Sequence, residues 1–134
     1  MAAIAVATAG AIHVVESIEQ KTKPAAETIL AGAPVRVDTS GKFTNANGTS
    51  ATEADYYGIA TRSVVAGESL TAVRRGTLDG FTFTQAYSAK IYLSDTDGTL
   101  ADTAGTVSTV VGRVDSAWAT TVGTAADKVL LLTA

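Results

Sequence analysis

The chain has 134 residues and a formal net charge of −3, with 46% hydrophobic, 6% aromatic and 17% charged residues. That length suits one domain with a single core, but so few aromatics mean the core is built mainly from Ala, Val, Ile, Leu and Thr. The acidic balance and the lack of a basic block argue against nucleic-acid binding driven by phosphate neutralisation, and the absence of cysteine excludes disulfides and thiolate metal sites.

Twenty-one threonines, with abundant valine, bias the chain towards strands, because β-branched side chains lose χ1 freedom in helices and fit a pleated surface. The first 23 residues differ from the rest. MAAIAVATAGAIHVV is apolar but has no Lys or Arg ahead of the apolar stretch, and His13 and Glu16 follow closely, so a signal peptide is not expected. No later run reaches the ~20 apolar residues of a membrane helix, and no membrane partner is expected. Within AIHVVESIEQ the spacing suits either a short helix or a strand, and Pro24 ends any helix. An apolar terminal segment not needed to close a barrel is tied to a neighbouring surface or disordered. Residues 1–23 are therefore assigned as a docking arm with Ile4, Val6, Ile12, His13, Val14 and Val15 as its contacts, and residues 24–134 as the β domain.

The β pattern starts at Thr28. Val35 and Val37 alternate with Arg36, and Asp38-Thr39-Ser40-Gly41 reverses the chain into Lys42-Phe43-Thr44, a hairpin. TNANGTSATEAD is a loop of small polar residues. Its Asn47-Gly48-Thr49 matches a glycosylation acceptor, but a turn is the better reading without a secretory signal. Tyr57 to Val65 is a predicted strand, Gly67-Glu68 a turn and Leu70 to Arg75 the return strand. Thr77 to Phe83 is extended with a kink at Gly80. Ala89 to Ser94 alternates Ile91 and Leu93 against Lys90 and Tyr92. A turn at Asp95-Thr96-Asp97-Gly98 follows, then Val107 to Val114 with a bulge at Gly112, and a last strand from Lys128 to Thr133. SATEAD and DSAWATT are each long enough for one or two helical turns.

No reaction chemistry emerges from this pattern. Asp95-Thr96-Asp97-Gly98 resembles part of a calcium loop, but its glycine comes too early and no Glu closes it, so a hairpin turn is expected and no metal. His13 is the only histidine and lies apart from any Ser or Asp cluster. Glu53 with Asp55, or Glu68 with Asp79, could be nominated as acid/base pairs for glycoside hydrolysis, but the substrate-stacking aromatics such a site needs are missing. A small trimeric hydrolase would need an Asp or Arg constellation with glycine-rich phosphate loops, and none is present. Arg74-Arg75 is the only adjacent basic pair, with side chains on opposite faces by strand alternation. Trp118 reads equally as a lid on one end of a barrel or as an interface anchor. Arg74, Arg75 and Trp118 are candidate interface residues. No cofactor and no enzymatic activity are expected.

Three segments carry a family resemblance: AAETILAGAPVRVDTSGKF, YGIATRSVVAGESLTAVRRGTLDGF and AKIYLSDTDGTLADTAGTVSTVVGRV. Their AG-x-PV opening, YGIA strand with AGE turn, Arg-Gly strand end, and IYLSD and VGRV strands resemble the phage capsid cement, or head-decoration, proteins over roughly residues 24 to 115. The resemblance implies an all-β fold, a compact β-barrel or β-tulip domain with an extended N-terminal arm. It implies a homotrimer at three-fold and quasi-three-fold positions on the outer surface of a virion, made in the host cytoplasm, with the arm on the major capsid protein. Residues 116–134 have no counterpart in it. The alternative reading from another class is a carbohydrate- or receptor-binding module on the virion, which calls for a cluster of exposed aromatics that Tyr56-Tyr57, Tyr87 and Tyr92 are too scattered to make.

Overall fold

A computed structural model describes residues 3–6, 12–116 and 128–133. Among them the chain is all-β, with strands β1 (Ala5–Val6), β2 (His13–Pro24), β3 (Pro34–Val37), β4 (Phe43–Asn45), β5 (Tyr56–Ala60), β6 (Ser69–Asp79), β7 (Phe81–Thr82), β8 (Lys90–Leu93), β9 (Leu100–Ala101), β10 (Val110–Ser116) and β11 (Lys128–Leu132). Nine of these form one strongly curled, half-barrel sheet in the order β4-β3-β5-β6-β11-β10-β8-β9, with β2 joined to β6.

The sheet is organised around β6. One of its edges is shared end to end: β5 pairs with Val73 and Ala72, and β11 with Leu78, Thr77 and Gly76. Its other edge carries β2 from Ser69 to Asp79. The two faces of β5 and β6 fill two cores. Ile59, Val73 and Leu78 pack with Phe83, Ile91, Leu93 and Leu130, while Tyr57, Ala60, Leu70 and Ala72 pack with Ile29, Val35 and Phe43. Burial on both sides explains why every residue of β5 is buried and why YYGIA shows no polar alternation.

Several expected elements fall where patterning placed them. The Asp38–Gly41 reversal joins β3 to β4, with the Asp38 carboxylate accepting from the backbone N–H groups of Ser40 and Lys42 at 2.9 and 3.0 Å. Those bonds, the Lys42 one foremost, hold the Asp38 carboxyl below its ordinary value. In β8, Ile91 and Leu93 are buried while Lys90 and Tyr92 face outward. The register of β10 on β8 shifts between Val110 and Gly112, which is the expected bulge. Two differences concern length and type. The strand from Tyr57 stops at Ala60, after which Val64 makes only an isolated bridge to Ile29. SATEAD makes turns and no helix, and DSAWATT lies largely outside the described residues.

The largest difference concerns residues 1–23, expected to stand apart from the β domain. Ile4 and Ile12 are 6% and 7% exposed within the first core, and Val6 packs against it. β1 pairs with β7, Ala3 bridges to Ala101 and the Ile4 N–H donates to the Leu100 carbonyl at 3.0 Å, so this short segment stitches β7 to β9. His13 to Pro24 then forms the longest strand of the sheet. The physical reason is the edge of β6: unpaired backbone groups there are satisfied by the nearest extended segment, and β2 supplies it.

Candidate docking surface

β2 is exposed along nearly its whole length and on both faces, unlike any other strand of the sheet. It is an edge strand, and among the described residues it pairs only with β6. Its pairing is irregular in a specific way. Val14 lies opposite Leu78 and Glu16 opposite Thr77, leaving Val15 as an extra residue; Ser17 lies opposite Gly76 and Glu19 opposite Arg75, leaving Ile18 as another. These two bulged residues are 45% and 66% exposed, since neither has a β6 neighbour to cover it. From Gln20 to Pro24 the pairing runs without a shift.

On β6 the residue skipped by the register is Arg74. Its guanidinium lies 5.5 Å from the centroid of the Tyr57 ring and its Nε 3.9 Å from Glu19 Oε2, while Lys21 Nζ lies 5.7 Å from the same ring. Two cations against one aromatic ring therefore clamp β2 to β6 and β5, and each such contact contributes about 0.5–1 kcal/mol at an exposed site. The Tyr57 hydroxyl is buried and has no hydrogen-bond partner among the described residues. Burial pushes its pKa up, Glu19 adds to the rise, and Arg74 opposes it. Thr22 and Thr71 add a hydroxyl–hydroxyl bond at 2.7 Å across the ladder. Arg75, the next residue along β6, is exposed.

The sequence-assigned arm residues divide accordingly. Ile4, Val6 and Ile12 turn inward, whereas His13, Val14 and Val15 are exposed on β2. Arg74 and Arg75 both lie on β6, beside the edge that carries β2. Trp118 lies outside the described residues. Sequence reasoning missed Ile18, Lys21 and Tyr57; the Glu16/Glu19 and Lys21/Lys23 grouping along one extended segment was the available signal.

The remaining candidates are held in structural contacts. Glu53 forms a paired contact with Arg36, both N···O distances being 3.3 Å, and accepts from Asn47 Nδ2. Asn47 also donates to Asp97 at 2.9 Å, and its oxygen accepts from the Thr49 N–H and hydroxyl, so its side chain is buried and fully used. Both Asp95 oxygens accept from Thr106, and Glu68 accepts from the Val65 N–H across its turn. Among the described residues no three His, Cys, Asp or Glu groups come together as a metal cluster, and no helix is long and apolar enough to cross a membrane. An open cleft of about 600 Å³ lies beside β1, lined by Ile4, Val6, Leu30, Gly32, Ser63 and Thr99.

These features define an all-β half-barrel with a long, doubly exposed edge strand. Compared with known proteins, the chain matches no family model, no curated protein and no solved structure.

Proposed function

We propose that this chain is a structural decoration protein of an icosahedral phage head, bound on the outer surface across capsomer junctions, with no catalytic role. The observation that carries the reading is β2: twelve residues of exposed edge strand mounted on the most extensively paired strand of the sheet. An edge of this kind offers backbone donors and acceptors to an extended segment of another chain, which is how a shell component can be joined to its neighbours. The three resembling segments support the same reading, and they contribute residues to each of β3 to β10. Tyr56 and Tyr57 are buried in the cores, which leaves the carbohydrate-binding alternative without half of its aromatic residues.

The mechanism follows from linkage. Packaged DNA pushes outward on a thin shell, and a protein that binds the intact lattice and not its separated subunits stabilises the lattice by its binding free energy. A homotrimer at three-fold and quasi-three-fold positions engages several copies of the major capsid protein at once. Effective concentration then converts modest single contacts into durable attachment. The test is to strip the protein from heads, measure the temperature at which DNA is released, and add the protein back. Release at a higher temperature after re-addition supports the reading, and identical release temperatures overturn it in favour of a receptor-binding role.

A further inference from the structure

We propose that the free edge of β2 is a homotypic docking strand, which pairs antiparallel with β2 of a second copy of this chain about a two-fold axis through the Gln20 pair, with Ile18 bulged from this ladder as it is from the β6 one. The charge pattern points to this partner. Among the strand's formally charged groups, Glu16 and Glu19 lie in its first half and Lys21 and Lys23 in its second, so an antiparallel copy sets the acidic half of each against the basic half of the other. In this register Glu16 lies opposite Lys23, and the two-fold repeats the pair.

The other cross-strand pairs suit an exposed sheet surface. Ser17 meets Thr22, a combination whose hydroxyls bond across strands. The exposed Val15 lies against Pro24 and so gains cover. Lysines and bulges on an edge ordinarily discourage pairing with arbitrary strands. Here the same lysines meet carboxylates when the incoming strand is another β2, so the features that repel other edges select this one. The two bulges add local twist, which a ribbon of two edge strands accommodates more readily than a flat sheet.

The contact is intrinsic to the free protein and is tested without any capsid, so its failure is distinguishable from failure of the decoration reading. Where that reading holds, a two-fold contact of this kind ties neighbouring trimers to one another. Among the described residues Glu16 and Lys23 form no ion pair, and they serve as probes. Sedimentation of the full chain at low salt should show concentration-dependent association. Glu16→Lys alone and Lys23→Glu alone should each weaken it about tenfold, because each replaces two complementary pairs with like charges. An equimolar mixture of the two variants should restore it. A second measurement fixes the register: Ser17→Cys and Thr22→Cys chains, mixed and oxidised, should form a mixed disulfide, while neither chain alone links to itself. A chain monomeric at all concentrations, association untouched by both charge reversals, or a mixture that fails to restore it overturns the proposal. Binding of a foreign extended strand to β2 in the absence of self-association overturns it too.

Discussion

Gly76 and Glu16 touch backbone to backbone: a Cβ built on Gly76 would fall on the Glu16 carbonyl oxygen, and Gly76 has φ +149°, a conformation that L side chains rarely adopt. The contact lies between the two bulged residues of β2, so the irregular strand can lie down on β6 only because position 76 has no side chain.

Gly76→Ala is therefore expected to lower stability by about 2–4 kcal/mol, combining backbone strain with displacement of β2. Urea denaturation measures it. Amide exchange should show the loss of protection concentrated in residues 13–19; a uniform loss across the sheet would mean that the clash is absorbed elsewhere.

Deletion of residues 1–23 removes Ile4, Ile12 and nearly all of β2 together. The two buried isoleucines alone contribute about 3–6 kcal/mol of burial, a large share of the stability of a domain this size. The truncated chain is expected to lose its cooperative unfolding transition or to show a much lower midpoint. An unchanged midpoint would restore the view of this segment as a separate arm.

Tyr56 has a buried hydroxyl without a hydrogen-bond partner among the described residues, and burial pushes its pKa well above the ordinary 10.0. The folded state therefore favours the protonated phenol. That contribution is fully present below pH 10 and is lost as pH rises from there towards the folded pKa. Melting temperature should hold across neutral pH and fall above about pH 10. Tyr56→Phe should flatten most of that fall and raise stability by about 1 kcal/mol at pH 7, since it removes an unsatisfied buried donor. A destabilised Phe variant would show that the hydroxyl is bonded in solution.

Asp97 takes a bond from Asn47, and Asp95 takes two from Thr106, so these carboxylates hold loop to loop. Asp97→Ala should cost about 1 kcal/mol and Asn47→Ala about 2, read by thermal melting. Neither calcium nor a chelator should move the wild-type melting temperature. A rise of several degrees with calcium, abolished in Asp97→Ala, would replace the turn with an ion site.

The strand content, the hairpin at Asp38–Gly41, the Gly112 bulge and the Ile91/Leu93 alternation were legible because each depends on neighbours two to four residues apart: period-two burial, β-branched side chains and turn formers act locally. The strand beginning at Tyr57 was legible too, but its end at Ala60 was not, because a strand buried on both faces carries no alternation to mark where it stops.

For the surface, the sequence by itself determined which residues were available: an extended segment ending at Pro24, two carboxylates followed by two lysines, and an adjacent pair of arginines. Only the tertiary structure decided their use. Residues 13–24 became an edge strand because β6, some fifty residues later, presents an unpaired edge, and closure of that ladder depends on contacts no local window contains. The same pairing sends Ile4 and Ile12 into the core, leaves Val15 and Ile18 outside, and lays Lys21 and Arg74 over Tyr57, because register across a sheet, and not spacing along the chain, sets which side chains meet.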